Sequence, residues 1–369
     1  MFEANVDLMG ANGQATGEVA GGIITNGRLN VGALRPFIDE TGRPCMTVYK
    51  GGDPKIATNW DTRFINTNAT LRRDEWKQLD SALMDVSRQR LGGIDDLRSK
   101  GLVYNLGNAM GTTVLEWHDI SGDMEAVVTM DGVTRGKNDR PKYQHNYLPI
   151  PIIHVDYEIN ARELAASRSL GNPLDTTDAE RATRAIQEKL EGMLFSDNQQ
   201  YSFGEKDSRG QNTIYSYVNH PDRNLVQLKV AWNESGKTAA AIVADVMAMK
   251  DASIADYHYG PWQLYIPTSY DTVIDNDYDT AGASTMTIRE RILKIAGISG
   301  IKVIDTLEAD NVLLVQMTSD VVRLVQGLGL QNVEWGVEGK FITKYKVLTI
   351  QVPQIRSDQN KRSGVIHLA

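Results

Sequence analysis

The residue types that carry most enzyme chemistry are present in this chain but are not gathered. Six histidines fall at His118, His145, His154, His220, His258 and His367, with no H-E-x-x-H pairing and no two close enough in sequence to share a metal ion. There is no G-x-S-x-G nucleophile turn and no Walker phosphate loop. The string "DNDYDT" sets Asp275, Asp277 and Asp279 at the alternate spacing of a calcium loop. It then offers Thr280 where that loop turns on glycine and Met286 where its bidentate glutamate belongs, so it reads as a solvated acidic loop. "GLGLQN" at 327–332 lacks the third glycine of a dinucleotide fingerprint and precedes no helix. His154, in an apolar strand, reads as a structural histidine, and Tyr257, His258 and Tyr259 in "DYHYGPW" read as packing for a Gly-Pro turn. No set combines acid, base and nucleophile in matched roles, so the expectation is no catalytic, cofactor or metal site.

Composition narrows the classes that remain. With 369 residues, 41% hydrophobic and 23% charged, the chain can bury a sizeable core in roughly two or three compact units. A net charge of −8 argues against a protein whose main task is to coat nucleic acid. The single cysteine, Cys45, excludes an intrachain disulfide and a multi-cysteine zinc site. No run reaches the ~20 apolar residues of a membrane span, and "MFEANVDLMGANGQ" has neither the basic start nor the apolar stretch of a signal peptide. These features point to a product made in the cytoplasm.

The elements that would have to position any site read clearly in places. Residues 1–70 are rich in turn signals, as in "GANGQATGEVAGG" and "YKGGDPKIATNWDTRF", and need packing against another copy or another part of the chain to become ordered. In "NATLRRDEWKQLDSALMDVSRQRLGG", Trp76, Leu79, Leu83 and Val86 make one helical face, Thr70 or Asp74 could cap it, and Gly92 and Gly93 stop it. "GTTVLEWHDI" and "MEAVVTM" read as strands. "YLPIPIIHVDYEI" alternates through Leu148, Ile150 and Ile152, then changes parity to Ile153, Val155, Tyr157 and Ile159, which signals a bulge or a passage between packing surfaces.

The strongest helical signal follows, in "DTTDAERATRAIQEKLEGMLFSD". Ala182, Ile186, Leu190, Met193 and Leu194 form one apolar stripe, Thr177 with Glu180 suggests a capping box, and the other face is charged. From about 213 to 335, helices in "GKTAAAIVADVMAMKDAS" and "TIRERILKIAG" alternate with strands in "GPWQLYIP", "GIKVID" and "DNVLLVQM", an α/β pattern with its own sheet. "GKFITKYKVLTIQVPQI" reads as one long strand closed by Pro353.

The order of these segments, more than any motif, resembles encapsulin shell proteins and the related tailed-bacteriophage major capsid proteins. The resemblance rests on "LPIPIIHVDYEINARELAASRSLGNPLDTTDAERATRAIQEKLEGMLFSD", with "LRRDEWKQLD", "GPWQLYIPTSYDTVI", "GIKVIDTLEADNVLLVQM" and "VEWGVEGKFITKYKVLTIQVPQI" in order on either side, over roughly residues 71–369. It implies an α+β chain of the Hong Kong 97-type capsid fold. The implied parts are an N-terminal arm (1–70), a peripheral domain begun at 71–100, an extended β-hairpin loop (101–149), and the peripheral domain with its long spine helix (150–212). An α/β axial domain (213–335) and a C-terminal peripheral strand (336–369) complete it. The ~70 residues before the first helix favour the phage branch over an encapsulin-like compartment that packages an enzyme. A hydrolase or nucleotide-binding enzyme built on the α/β unit is the reading from another class.

On the phage branch the resemblance implies a structural protein, not an enzyme, whose many copies form pentamers and hexamers of an icosahedral shell. It implies a virion location after assembly in the host cytoplasm, non-specific contact with packaged double-stranded DNA, and portal, scaffolding and decoration proteins as partners, with no membrane. Within "VTMDGVTRGKNDRPKYQ", Arg135, Lys137, Arg140 and Lys142 outnumber Asp131 and Asp139, so the projecting loop is expected to lie on a neighbouring subunit. The acidic surface expected to receive it is Glu180, Glu188 and Glu191 on the spine helix. A covalent crosslink, as in the type member of the fold, would use Lys137 or Lys142 with Asn360.

Overall fold

A computed structural model of the chain describes residues 24–25, 28–29, 34–49, 60–64, 71–89, 92–107, 110–120, 128, 130, 143–170, 176–197, 201–203, 212–278, 286–338, 341–358 and 360–369. Near the N-terminus, β1 (Ile24–Thr25) pairs with β2 (Arg28–Leu29), and β3 (Phe37–Ile38), β4 (Pro44–Tyr49) and β5 (Trp60–Phe64) form a small meander. Helices α1 (Arg73–Gln89) and α2 (Gly92–Ser99) follow, then β6 (Val103–Asn105), β7 (Val114–Ile120), β8 (Tyr143–Pro149) and β9 (Ile153–Asn160). Helices α3 (Ala161–Leu170) and α4 (Thr177–Phe195) lead to β10 (Tyr201–Ser202), β11 (Thr213–Ile214) and β12 (Asn224–Val226). The remainder runs α5 (Ala239–Ala255), β13 (Trp262–Pro267), α6 (Asp271–Ile274), α7 (Ile288–Leu293), β14 (Ile298–Ile304) and β15 (Val312–Gln316). Three strands close the chain: β16 (Val322–Glu338), β17 (Ile342–Ile355) and β18 (Val365–Leu368).

Two sheets organise these elements. The first has the order β6-β16-β17-β9 and the second β12-β18-β15-β13-β14. The α4 stripe read from the sequence is buried throughout, with Ala182, Ile186, Leu190 and Leu194 packed in one core with Tyr345 and Val347 of β17. That stripe is what lays α4 across the first sheet as a spine. β9 alternates as its spacing requires, Ile153, Val155, Tyr157 and Ile159 facing the same core and the residues between them exposed. The change of parity is a passage between surfaces: β8 ends at Pro149 in a ribbon with β7, and β9 begins at Ile153 in the first sheet.

The second sheet is covered on both faces, which explains why β13 is buried at every position. Trp262, Leu264 and Ile266 point to a core formed with α5 and α7, while Tyr265 points to the core that holds α2 and α4. Leu313, Val315 and Val365 share that second direction, so the two sheets meet across one continuous core. Helices α5 and α7 begin where Thr238 and Thr287 accept backbone N–H groups from Ala241 and Glu290, each at 3.2 Å.

Several expectations are corrected. β16 pairs along its length with β17, and β18 inserts between β12 and β15. The second sheet therefore excludes 322–335 and includes 365–368, unlike the division into 213–335 and 336–369. Local pattern identifies a strand, but the partner is set by non-local register. Pro353 lies inside β17 rather than closing it, opposite Leu324; β9 covers β17 only as far as Thr349, so the proline sits where one side of the strand needs no ladder bond. The capping box of Thr177 with Glu180 does not form. Thr176 holds the capping position, and its hydroxyl donates to the Glu180 carboxylate at 2.7 Å. Gly92 and Gly93 lie beyond the end of α1 as expected, but they also open α2. Thr70 lies outside the described residues, and Asp74 is in the first turn of α1 instead of capping it.

Candidate assembly surfaces and the junction between the sheets

The extended loop is rooted in its own subunit. β7 and β8 pair antiparallel from Val114↔Pro149 to Ile120↔Tyr143. At the base, Leu148 and Ile150 are buried with Val325, Ile350 and Val352 of the first sheet, and Leu115 and Trp117 pack against them. Met193 of α4 and Ile214 of β11 complete this cluster. Farther out, Val128 and Met130 are fully exposed apolar side chains. Arg135, Lys137, Arg140 and Lys142, with the rest of the basic turn, lie outside the described residues.

The three spine-helix acids do not form one surface. Glu188 is exposed and paired with Arg184 one turn earlier, at 3.1 Å. Glu180 accepts from Thr176 and is half-buried. Glu191 is half-buried and turns toward the start of α2, where a Cβ built on Gly92 would sit 3.4 Å from its Oε1. With Arg181, Arg184 and Lys189 on the same helix, the outer face of α4 carries both signs of charge instead of an acidic excess.

Part of the arm is held by the chain itself. The Trp76 indole donates to Pro36 O at 3.0 Å, Arg35 pairs with Asp80 at 2.6 Å, and the Arg35 guanidinium lies 4.4 Å from the Trp76 ring centre. Phe37 and Cys45 are buried in the main core. Residues 34–49 are therefore structural in the subunit. Asn360, the other half of the expected crosslink, is exposed in the turn between β17 and β18, where Arg362 and Asp358 exchange backbone and side-chain bonds.

Between the sheets lies a polar junction that the sequence reading did not single out. Helix α2 buries Ile94 and Leu97 in the main core, and at Gly93 an added Cβ would run into the Phe195 ring. Its polar side chains reach in both directions. Arg98 donates to Gln351 of β17 at 2.7 Å, and Lys100 donates to Gln263 of β13 at 3.1 Å. Asp96 is almost fully buried; it accepts from the Tyr265 hydroxyl at 3.0 Å and pairs with Lys302 of β14 at 2.8 Å. Lys302 also donates to Gly92 O at 3.3 Å. Burial, with help from Tyr217 and Asp96, holds the Tyr265 phenol far above its ordinary range. The signal was present as "GGIDDLRSK", a short run dense in charge beside two glycines that cannot be explained by an exposed loop alone.

The residues first considered for chemistry remain apart. Asp275 pairs with Arg289 at 2.6 Å, Asp271 pairs with the same guanidinium at 2.7 Å, and Asp279 is outside the described residues. Among the described residues no group of three or more His, Cys, Asp or Glu is placed to hold a metal ion. His154 faces outward on β9, half-exposed beside Asp156 at 3.5 Å, because β9 buries the residues on either side of it. His367 receives Arg223 at 3.2 Å and lies 2.7 Å from Asn311; burial, with Arg223, pushes it down to about 4. Tyr257 and Tyr259 are exposed, and it is Trp262 that packs the Gly-Pro turn, its indole donating to Ser253 at 2.9 Å. "GLGLQN" lies within β16 at two register shifts, so its glycines serve bulges. Among the described residues no helix is long and apolar enough to cross a membrane.

Residues 66–368 match a family of unknown function, DUF6260. The chain belongs to that family. The match leaves β1–β5 outside it. No curated protein matches the chain. Among solved structures, a virus-like particle from Pyrococcus furiosus resembles this DUF6260 protein with a TM-score of 0.56 at 18% identity, over 80% of this chain and 99% of the other. The capsid of Myoviridae phage XM1 gives 0.55 at 8% identity, over 76% and 92%. The capsid of a native GTA particle gives 0.55 at 12% identity, over 76% and 91%. Identities this low establish architecture: the DUF6260 chain has the Hong Kong 97-type capsid fold.

Proposed function

We propose that this protein is a shell subunit, the major capsid protein of a tailed bacteriophage, and that its copies assemble as pentamers and hexamers around double-stranded DNA. The observation that carries the reading is the likeness to shell proteins over nearly their whole length: 92% and 91% of the two capsid chains are covered, by 76% of this chain in each case. The subunit's own surfaces agree with it. Val128 and Met130, in the segment between β7 and β8, present apolar side chains to solvent, and burying them against a second copy would gain ~1.5–3 kcal/mol per side chain. Contact with DNA is non-specific and weak in this reading, because the chain carries a net charge of −8. Portal, scaffolding and decoration proteins complete the assembly, the virion is its location, and the host cytoplasm is where it forms.

The second reading is an encapsulin-like compartment. It is favoured by the virus-like particle from Pyrococcus furiosus, whose identity is the highest of the three at 18% and which is covered over 99% of its length. The content of purified particles separates the two. Nuclease-protected double-stranded DNA, in particles purified from infected or induced cells, supports the capsid reading, and a stoichiometric co-purifying enzyme supports the compartment. A chain that sediments only as a small oligomer overturns both.

A further inference from the structure

His367 is almost fully buried in β18, which lies between β12 and β15 in the second sheet. On one side the Nε–H of Arg223, the residue before β12, donates to Nδ1 of the ring at 3.2 Å. On the other, Nε2 lies 2.7 Å from Oδ1 of Asn311, the residue before β15. The orientation of that amide is fixed, because its Nδ2 donates to Glu308 O at 3.3 Å and to Ala309 O at 3.1 Å. A guanidinium only donates, and an amide oxygen only accepts. Both ring nitrogens are therefore assigned: Nδ1 is bare and Nε2 carries the single proton.

This tautomer secures Arg223, whose Nη1 also donates to His220 O at 3.0 Å. His220 is buried in the same turn and likewise holds a bare Nδ1 toward an obligate donor, Asp222 N–H, at 3.2 Å. Among the described residues β12 is an edge strand of three residues that pairs with β18 alone. Its other fastenings are Asn224, which donates to Ala252 O and Asp256 of the α5 end, and Asp222, which accepts from Ser357 at 2.7 Å. The other charged groups facing the two rings are Asp197, just beyond α4, for His367 and Asp222 for His220. A proton added to His367 Nδ1 would meet the Arg223 N–H, two cations with no acceptor between them. Burial and Arg223 both lower the proton affinity of this ring, to about 4, against the pull of Asp197.

We propose that His367 is an acid-sensitive latch: its neutral ring holds Arg223, and with it the edge strand β12, on β18, and a proton at Nδ1 expels the guanidinium and frees residues 221–228. The inference concerns the subunit and does not depend on whether the subunit builds a shell. The latched state excludes a proton that the opened state, with its ring in water, takes up below about pH 6.5. Opening is therefore favoured as pH falls from about 6.5 to about 4 and levels off below.

Hydrogen exchange read by mass spectrometry on the purified full-length protein, corrected for intrinsic rates, measures the opening of 221–228 from pH 7.5 to 4.5. His367→Gln keeps an acceptor for Arg223 and a donor for Asn311 and cannot take up a proton. Relative to their ratio at pH 7.5, the wild type should open about tenfold more than the variant for each pH unit below 6.5, about a hundredfold at pH 4.5. Both proteins retain His220, so the ratio isolates His367. Residues 262–267 of β13 should show no such difference. A ratio that does not change with pH would overturn the proposal. If His367→Gln does not fold, nitrogen NMR of histidine-labelled wild type reads the ring directly. It should show His367 with Nδ1 bare and Nε2 protonated at pH 5.5, and a doubly protonated ring or the opposite tautomer at that pH overturns the proposal equally.

Discussion

Glu334→Gln is expected to remove an alkaline weakness built into the first sheet. Glu334 lies in β16 opposite Tyr345, on the face that packs against the helices, and is almost fully buried. Its Oε2 has no hydrogen-bond partner among the described residues, and burial pushes the carboxyl from 4.5 up to about 8. The native state therefore keeps a proton that the unfolded state releases above pH 4.5. Since the native state binds more protons in that interval, stability falls as pH rises from about 4.5 to about 8 and is level beyond. At ~1.4 kcal/mol for each pH unit of that interval, the full effect is bounded at ~5 kcal/mol, and we expect ~2–5 kcal/mol after local relaxation. Glutamine keeps the shape of the neutral acid and cannot ionise. Urea unfolding of wild type and variant at pH 5, 7 and 9, in the same assembly state, measures the difference. The variant should match the wild type at pH 5 and exceed it by ~2–5 kcal/mol at pH 9. Parallel slopes for the two proteins from pH 5 to 9 would refute the assignment.

Four further outcomes are expected, two from the packing and two from the proposed role of the loop. Gly93→Ala should cost ~2–4 kcal/mol in denaturant unfolding, because the added methyl meets the Phe195 ring in a packed core. Deleting residues 2–33 should leave the subunit folded, whereas deletion through residue 50 removes Phe37 and Cys45 from the core and should lower the thermal midpoint by several degrees in calorimetry. Replacing Arg135, Lys137, Arg140 and Lys142 with glutamate should slow assembly followed by light scattering at low salt without unfolding the subunit; an unchanged rate removes the electrostatic part of the loop's proposed role. If Lys137 or Lys142 joins Asn360 of a neighbour, shells on denaturing gels show a ladder that Asn360→Ala abolishes, and a single monomer band argues for packing alone.

What could be read in advance was whatever depends on local period. The α4 stripe, the continuous apolar run of β13 and the parity change after Ile152 each follow from side-chain geometry within one element, and each has its physical counterpart in the fold. Sheet membership was not legible, because β16 and β18 find their partners across long stretches of chain. The spine-helix acids show the same divide. Their charge was visible, but Glu191 follows buried Gln187 by one helical turn and Thr183 by two, a polar flank of the buried stripe that composition hides. The buried acid of β16 gave still less warning, since alternation in a strand predicts which face a residue takes and not whether that face tolerates a charge. Of the loop, the sequence shows the basic tip and the structure shows the root.

Electron microscopy of the purified full-length protein tests the central claim most directly. The account predicts closed, thin-walled particles of uniform diameter whose capsomers are fivefold and sixfold rings of this chain. A protein that stays monomeric or forms only small open oligomers under conditions where it is folded would contradict it.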